Sequence, residues 1–253
     1  MTDAAAVEAG KIDIGRVIQE TFQVIGRNFT NFTILSAVLV GLPTVLMTGL
    51  QGQMMGAQDF RFGPGLFFSW LVAVVTGAIL QGALVYGTVQ DMNGRRPGVG
   101  DILTTGLRAF MPVIGVSLLF GIALIVGFVL LIVPGIMIAC AWCVAVPALV
   151  AERVGVFDSF RRSADLTRGN RWRLFGLFVI WVMAVMLLSG IIGAISGGGA
   201  FGGGALSPVA LVLNFIYATL SGLVGATGVA VLYVDLRRVR EGLGPQGLAE
   251  VFG

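Results

Sequence analysis

Cys140 and Cys143 stand in a C-x-x-C spacing, the arrangement used by dithiol redox centres and by half of a zinc site. A redox pair needs polar, accessible surroundings that lower a thiol pKa, and a zinc ion needs four ligands. This chain has no third cysteine and no histidine. Both thiols fall in the apolar run Ala139–Val146, one helical turn apart, so they read as small packing residues. Missing histidine also removes the commonest general base and the commonest metal ligand. Two glycine triplets, Gly197-Gly198-Gly199 and Gly202-Gly203-Gly204, lack the following lysine and helix start that a phosphate loop requires, and read as a flexible linker. No catalytic residue, cofactor site or metal site emerges, and no enzyme is expected.

The remaining chemistry is cationic. Arg161, Arg162, Arg168, Arg171 and Arg173 crowd a short segment with Trp172 among them. Arginines beside a bilayer meet anionic headgroups at about 1 kcal/mol each, and a tryptophan with its polar edge is favoured at headgroup depth. Gly169 suits a left-handed helix end, and Asn170 suits the cap of the next helix. Two readings stay open for this segment: a topology and anchoring element, or a docking site for an anionic lipid or partner.

The elements that position these residues follow from composition. Of the 253 residues, 57% are hydrophobic and only 11% are charged. A water-soluble domain carries about 25% charged residues, so lipid is the natural solvent here. Crossing the hydrocarbon takes roughly 20 apolar residues in a helix. Six segments without Asp, Glu, Lys or Arg qualify: 29–49, 66–89, 111–133, 135–151, 174–195 and 208–234. Residues 111–151 are too many for one crossing, and Pro134-Gly135 is placed to turn the chain back. Residues 1–28 then form a tail with an amphipathic helix, 29–235 a six-span membrane domain and 236–253 a second tail. The spans divide the 16 bases unequally: every one except Arg61 falls on the side that holds both termini. Basic flanks stay in the cytoplasm, so both ends are expected inside. The basic excess thus points to anionic lipid rather than nucleic acid.

Each outward span is preceded by a stretch of helical period. Ile14, Val17, Ile18, Thr21, Phe22 and Ile25 share one face before span 1. Before span 3 the stripe is Val99, Ile102, Leu103, Gly106, Leu107 and Phe110; before span 5 it is Val156, Phe157, Phe160 and Ala164. Such stripes beside a span predict interfacial helices. The inward spans end alike, at Asp91, Glu152 and Asp235. Three copies of one unit result: interfacial helix, outward span, inward span. A carboxylate at the edge of the hydrocarbon gains from a nearby base. At least one of the three acids is therefore expected to pair with an arginine of an interfacial helix, Arg16, Arg27, Arg161 and Arg162 being within reach.

Inside the spans, small residues four apart (Ala73 and Gly77, Ala83 and Gly87, Ser221 and Gly225) predict close helix packing, within the subunit or in a homo-oligomer. Pro43 and Pro147 predict kinks. Gln81 and Asn214, the amides of the spans, predict interhelical hydrogen bonds. No charge lies within a span, which argues against an ion-coupled pump.

The block P-G-I…V-P-A-L-V-A-E…R-R-S-A-D-L-T-R-G-N-R-W, which includes Pro134, Gly135, Pro147, Glu152, Arg161, Arg162, Gly169, Asn170 and Trp172, resembles the membrane domain associated with bacterial glycerophosphoryl diester phosphodiesterases and the related YciC-like inner-membrane proteins. Ile25-Gly26-Arg27-Asn28-Phe29 supports the resemblance. It implies a multi-pass protein of the bacterial cytoplasmic membrane. The hydrolase barrel fused to some of those domains has no room in this chain. The expected fold is an all-α bundle of six spans with three interfacial helices. The expected function is that of a non-catalytic anchor, scaffold or regulatory module. The alternative is a transporter or permease-like protein for a lipid or other hydrophobic solute.

 The expected partners are membrane lipids with anionic headgroups on the cytoplasmic face, and a protein or a second copy of the chain; no nucleic acid is expected.

Overall fold

In hydrocarbon every backbone N–H and C=O must be satisfied within the protein, and a helix does this segment by segment. The computed structural model describes residues 11–55, 64–195 and 208–242, and among these every regular element is helical. In chain order they are α1 (Ile14–Arg27), α2 (Phe29–Ser36), a π-turn (Ala37–Gly41), α3 (Leu42–Met55), α4 (Pro64–Met92) and α5 (Val99–Leu130). Then follow α6 (Ile132–Trp142), α7 (Ala145–Glu152), α8 (Val156–Thr167), α9 (Arg171–Ile195) and α10 (Pro208–Glu241). Six stretches are long and apolar enough to cross a membrane: Phe29–Gly49, Phe67–Met92, Val99–Leu130, Ile132–Glu152, Arg171–Ile195 and Pro208–Glu241, here spans 1 to 6.

Span 6 is the axis of the bundle. α10 touches α1, α2, α3, α4, α7, α8 and α9, and its last third is buried from Ala230 to Leu236. At 34 residues it is about 51 Å long, well beyond the ~30 Å hydrocarbon core, so one end must project into polar surroundings. That end carries Asp235, Arg237, Arg238, Arg240 and Glu241. Span 5 is the opposite case: within α9 only Leu174 is buried, and the helix contacts the bundle through α6 and α10. A helix that is apolar on every side suits lipid, which removes the need for an amphipathic pattern.

Three features differ from the sequence expectation. First, the chain reverses between spans 3 and 4 at Leu131, whose backbone is extended (φ −168°, ψ 150°), rather than at Pro134-Gly135. Pro134 lies in the first turn of α6, where its missing N–H has no intrahelical partner to lose. Gly135 serves the close approach of the two helices: a Cβ there would stand 2.7 Å from the Phe128 ring. Spans 3 and 4 therefore run Val99–Leu130 and Ile132–Glu152, not 111–133 and 135–151.

Second, the amphipathic stretch before span 3 is not a separate helix. It continues into the span as α5, 32 residues long, with Pro112 inside it. Contacts on both sides of the proline hold the helix through: Val113 and Val116 are buried, and Gly106 lies so close to α4 that a Cβ would be 2.6 Å from the Ile79 carbonyl oxygen. Third, span 4 is broken at Cys143-Val144. The break is held from α8. Ser163 Oγ donates to the Ala141 carbonyl (2.8 Å) and accepts from the Val144 N–H (3.3 Å), and Thr167 Oγ1 also reaches the Ala141 carbonyl (3.2 Å). The buried face of α8 is accordingly Ser159, Phe160, Ser163, Leu166 and Thr167, while Phe157 of the expected stripe is 78% exposed.

Span 1 carries a π-turn just ahead of Pro43. The proline ring cannot share space with the carbonyl of Leu39, and the preceding turn widens to a π-turn in which the Leu42 N–H bonds the Ala37 carbonyl.

Candidate functional site

The acids that end spans 2, 4 and 6 lie at one end of the bundle, and each meets an arginine of α1 or α8. Asp235 is fully buried, and Arg16 Nη2 donates to its Oδ1 at 2.5 Å. Asp91 receives Arg27 through Nε (3.0 Å) and Nη2 (2.6 Å) on one oxygen, and Asn28 Nδ2 (2.8 Å) on the other. Glu152 receives Arg162 Nε on both oxygens, at 2.8 and 2.9 Å, and the Tyr233 hydroxyl at 2.7 Å. Arg162 also pairs with Glu241, which Arg237 holds at 2.7 Å. Burial works against the charge of Arg162, but its hydrogen bonds to Glu241 and Glu152 outweigh that, and its pKa is held above the usual value. Arg238 closes the set on Glu20 at 3.2 Å.

These pairs tie α1 to spans 2 and 6, and α8 to spans 4 and 6. The expected acid–arginine pairing is present at all three acids, although α1 grips two of them and the stretch before span 3 grips none. The N-terminus of α1 is itself closed by Asp13, whose Oδ1 accepts the N–H groups of Gly15 and Arg16.

The basic segment does not form one surface. Arg162 faces inward into the ion pairs just described. Arg173 donates to the Ile12 carbonyl, and Asn170 Oδ1 accepts the Ile12 N–H at 3.1 Å, so together they fasten the chain ahead of α1. The Asn170 backbone carbonyl takes the first bonds of α9, from Arg173 and Leu174. Arg171 is half-buried, whereas Arg161 and Arg168 are exposed and Trp172 is 87% exposed, edge-on to Phe175. Gly169 closes α8 with φ +90°, as its residue type requires. Pro147 is buried inside α7.

A second site lies deeper. Two open cavities of about 350 Å³ each adjoin one another, both lined by Val40 and Ala73. The first runs along spans 1 and 2 beside Pro43, past Thr44, Thr48 and Ser69. The second reaches between spans 2, 3 and 6, where Gln81, Ser117 and Ser221 line it. None of these three side chains has a hydrogen-bond partner among the described residues. Asn214, by contrast, donates to the Ala210 carbonyl of its own helix at 2.8 Å. Neither amide therefore makes the interhelical bond that its position suggested.

Small residues explain the space. Ala83 and Gly87 pack tightly, against Gly106 and Phe32, and Gly225 meets Trp181. Around Gly77, however, a Cβ would find nothing within 4 Å, and Ala73, Gly77 and Ser221 border the cavity. The spacing of small residues gave no sign of which pairs close and which leave room. Gln81 was the one signal available, as an amide in an otherwise apolar span.

Cys140 and Cys143 are both free, and the Cys143 thiol lies 3.3 Å from the Cys140 carbonyl at the break in span 4. No group of three or more His, Cys, Asp or Glu residues suited to a metal ion occurs among the described residues. No curated protein and no solved structure matches the chain. A family match covers residues 29–236, from the first residue of span 1 to just beyond Asp235. The chain belongs to that family, described as a domain of unknown function, DUF7847.

Proposed function

We propose that the protein is a non-catalytic module of the bacterial cytoplasmic membrane that anchors or scaffolds partners, with its ion-paired end in the cytoplasm. The observation that carries this reading is the triple grip of arginine on Asp91, Glu152 and Asp235. It makes the charged end a rigid platform, from which Arg161, Arg168 and Trp172 project toward headgroups or a partner. Kinship with the phosphodiesterase-associated membrane domain is part of the same reading, and rests on the residue 134–173 block.

Transport of a lipid or other hydrophobic solute is a second reading, favoured by the cavities beside Pro43. Opening the charged end to such a path would break several ion pairs. Freeing one buried charge alone costs about 3–5 kcal/mol, so a static module is the better fit.

The test is lipid retention. Protein extracted in mild detergent should keep phosphatidylglycerol in excess over zwitterionic lipid, and the variant Arg161→Gln/Arg168→Gln should lose that excess. Equal retention of both lipids by the unaltered protein would refute the headgroup contact. Metal-dependent hydrolysis of a glycerophosphodiester by the purified protein, above an empty-membrane control, would overturn the non-catalytic reading.

A further inference from the structure

Gln81, Ser117 and Ser221 come from three different spans and line one cavity without a protein partner. Other span hydroxyls are mixed: Ser36, Thr48 and Thr76 each donate to a backbone carbonyl, whereas Thr88, Thr219 and Thr227 are packed without a partner among the described residues. What sets Gln81, Ser117 and Ser221 apart is that they face one open cavity. An unsatisfied amide or hydroxyl in hydrocarbon is costly, and three that converge point to something that satisfies them.

Depth narrows what that is. Gln81 lies ten residues before Asp91, about 15 Å along the helix, and Ser221 lies fourteen before Asp235, about 21 Å. Both distances reach the middle of a ~30 Å hydrocarbon layer. Water is scarce there, and a charged group would need a counter-charge. Among the described residues no Asp, Glu, Lys or Arg lines either cavity. The complementary ligand group is therefore uncharged. An amide and two hydroxyls offer both donors and acceptors, which suits a hydroxyl or ester carbonyl. The adjoining cavity extends the site along span 1 past Val40, Pro43 and Met47, and since the Thr48 and Thr76 hydroxyls on its wall are bonded within their own helices, it leaves room for a hydrocarbon chain. Each cavity is within the size range of small-molecule sites, roughly 300–1,000 Å³.

We infer that Gln81, Ser117 and Ser221 form a binding site for an uncharged amphiphile, a lipid with one hydrocarbon chain and a hydroxyl- or ester-bearing head. The site is independent of the charged end and of the anchoring reading.

The full chain in bilayer nanodiscs tests this with a monoacylglycerol that carries a diazirine in its acyl chain. After illumination, adducts should concentrate on the peptides that contain Val40–Thr48 and Ala73–Gln81. Excess unlabelled monoacylglycerol should compete, and excess phosphatidylglycerol should not. Gln81→Leu should lower labelling about fivefold, the worth of one net hydrogen bond. Gly77→Phe, which enters open space, should lower it as much. Gln81→Leu removes no bond within the fold, so its melting temperature should hold or rise. Should that variant not fold, Gly77→Phe decides alone. Labelling as heavy on the lipid-facing span 5 as on these peptides, labelling unmoved by the variants, or equal competition by phosphatidylglycerol would each overturn the inference.

Discussion

Asp235 and Asp91 end two inward spans in the same way, but their surroundings make them unequal. The Asp235 side chain is 0% exposed and its partner Arg16 is 16% exposed, whereas Arg27, the partner of Asp91, is 48% exposed. Removing one member of a buried pair strands the other, at about 3–5 kcal/mol. Asp91 is itself only 6% exposed, but Asn28 still donates to it when Arg27 is gone, and Arg27 stands half in solvent, so Arg16→Ala should lower thermal stability in detergent more than Arg27→Ala. Adding Asp235→Leu to Arg16→Ala should restore much of the loss, because no charge is then stranded. Equal effects of the two single substitutions would contradict this ranking. Ser163 gives a second case. It satisfies a carbonyl and an N–H at the break of span 4, and Ser163→Ala should cost about 1–3 kcal/mol in the same unfolding measurement. A change within experimental error would mean that the break closes without it.

At the scale of elements, helix contacts depend on glycine in one place and not in another. A Cβ at Gly106 would press on the Ile79 carbonyl at 2.6 Å, whereas one at Gly77 meets nothing. Gly106→Ala should destabilise by about 1–3 kcal/mol through forced separation of α4 and α5, and Gly77→Ala should change stability by less than about 0.5 kcal/mol. Calorimetry or thermal unfolding of the two variants side by side checks the contrast. Sequence could not separate these glycines: Gly106 stood on the amphipathic stripe before span 3 and Gly77 in an apolar span four residues after Ala73, and neither position tells how closely a neighbouring backbone approaches. The reason is general to lipid: a span that faces hydrocarbon on one side and protein on the other is apolar on both, so periodicity does not report the buried face. Where the surroundings are polar the pattern reports it in part: Val17, Thr21 and Ile25 of α1 are buried as their spacing predicts, together with Val24, while Ile18 and Phe22 of the same stripe are exposed. The break of span 4 was hidden for another reason. It is held by Ser163, about twenty residues further along, whose hydroxyl donates to the Ala141 carbonyl and accepts the Val144 N–H at the break.

For the whole molecule, the absence of charge was enough to read six membrane-length helices, and the acids at the span ends were enough to read where arginine would bind. The reversal at Leu131, the fusion of α5 and the polar cavity lining were not legible, since each depends on helix neighbours. The charged end gathers Asp91, Glu152, Asp235 and their arginines, and the function proposed above requires it to face the cytoplasm. Single cysteines in a version with Cys140→Ala and Cys143→Ala measure this directly, using an impermeant thiol reagent on intact cells. Arg168→Cys reports the charged end, since Arg168 is exposed. Gly56→Cys and Gly202→Cys lie outside the described residues, in segments expected from the sequence to face the other side. The account predicts labelling at Gly56→Cys and Gly202→Cys in intact cells, and at Arg168→Cys only after permeabilisation. Labelling of Arg168→Cys in intact cells, with the other two protected, would contradict it.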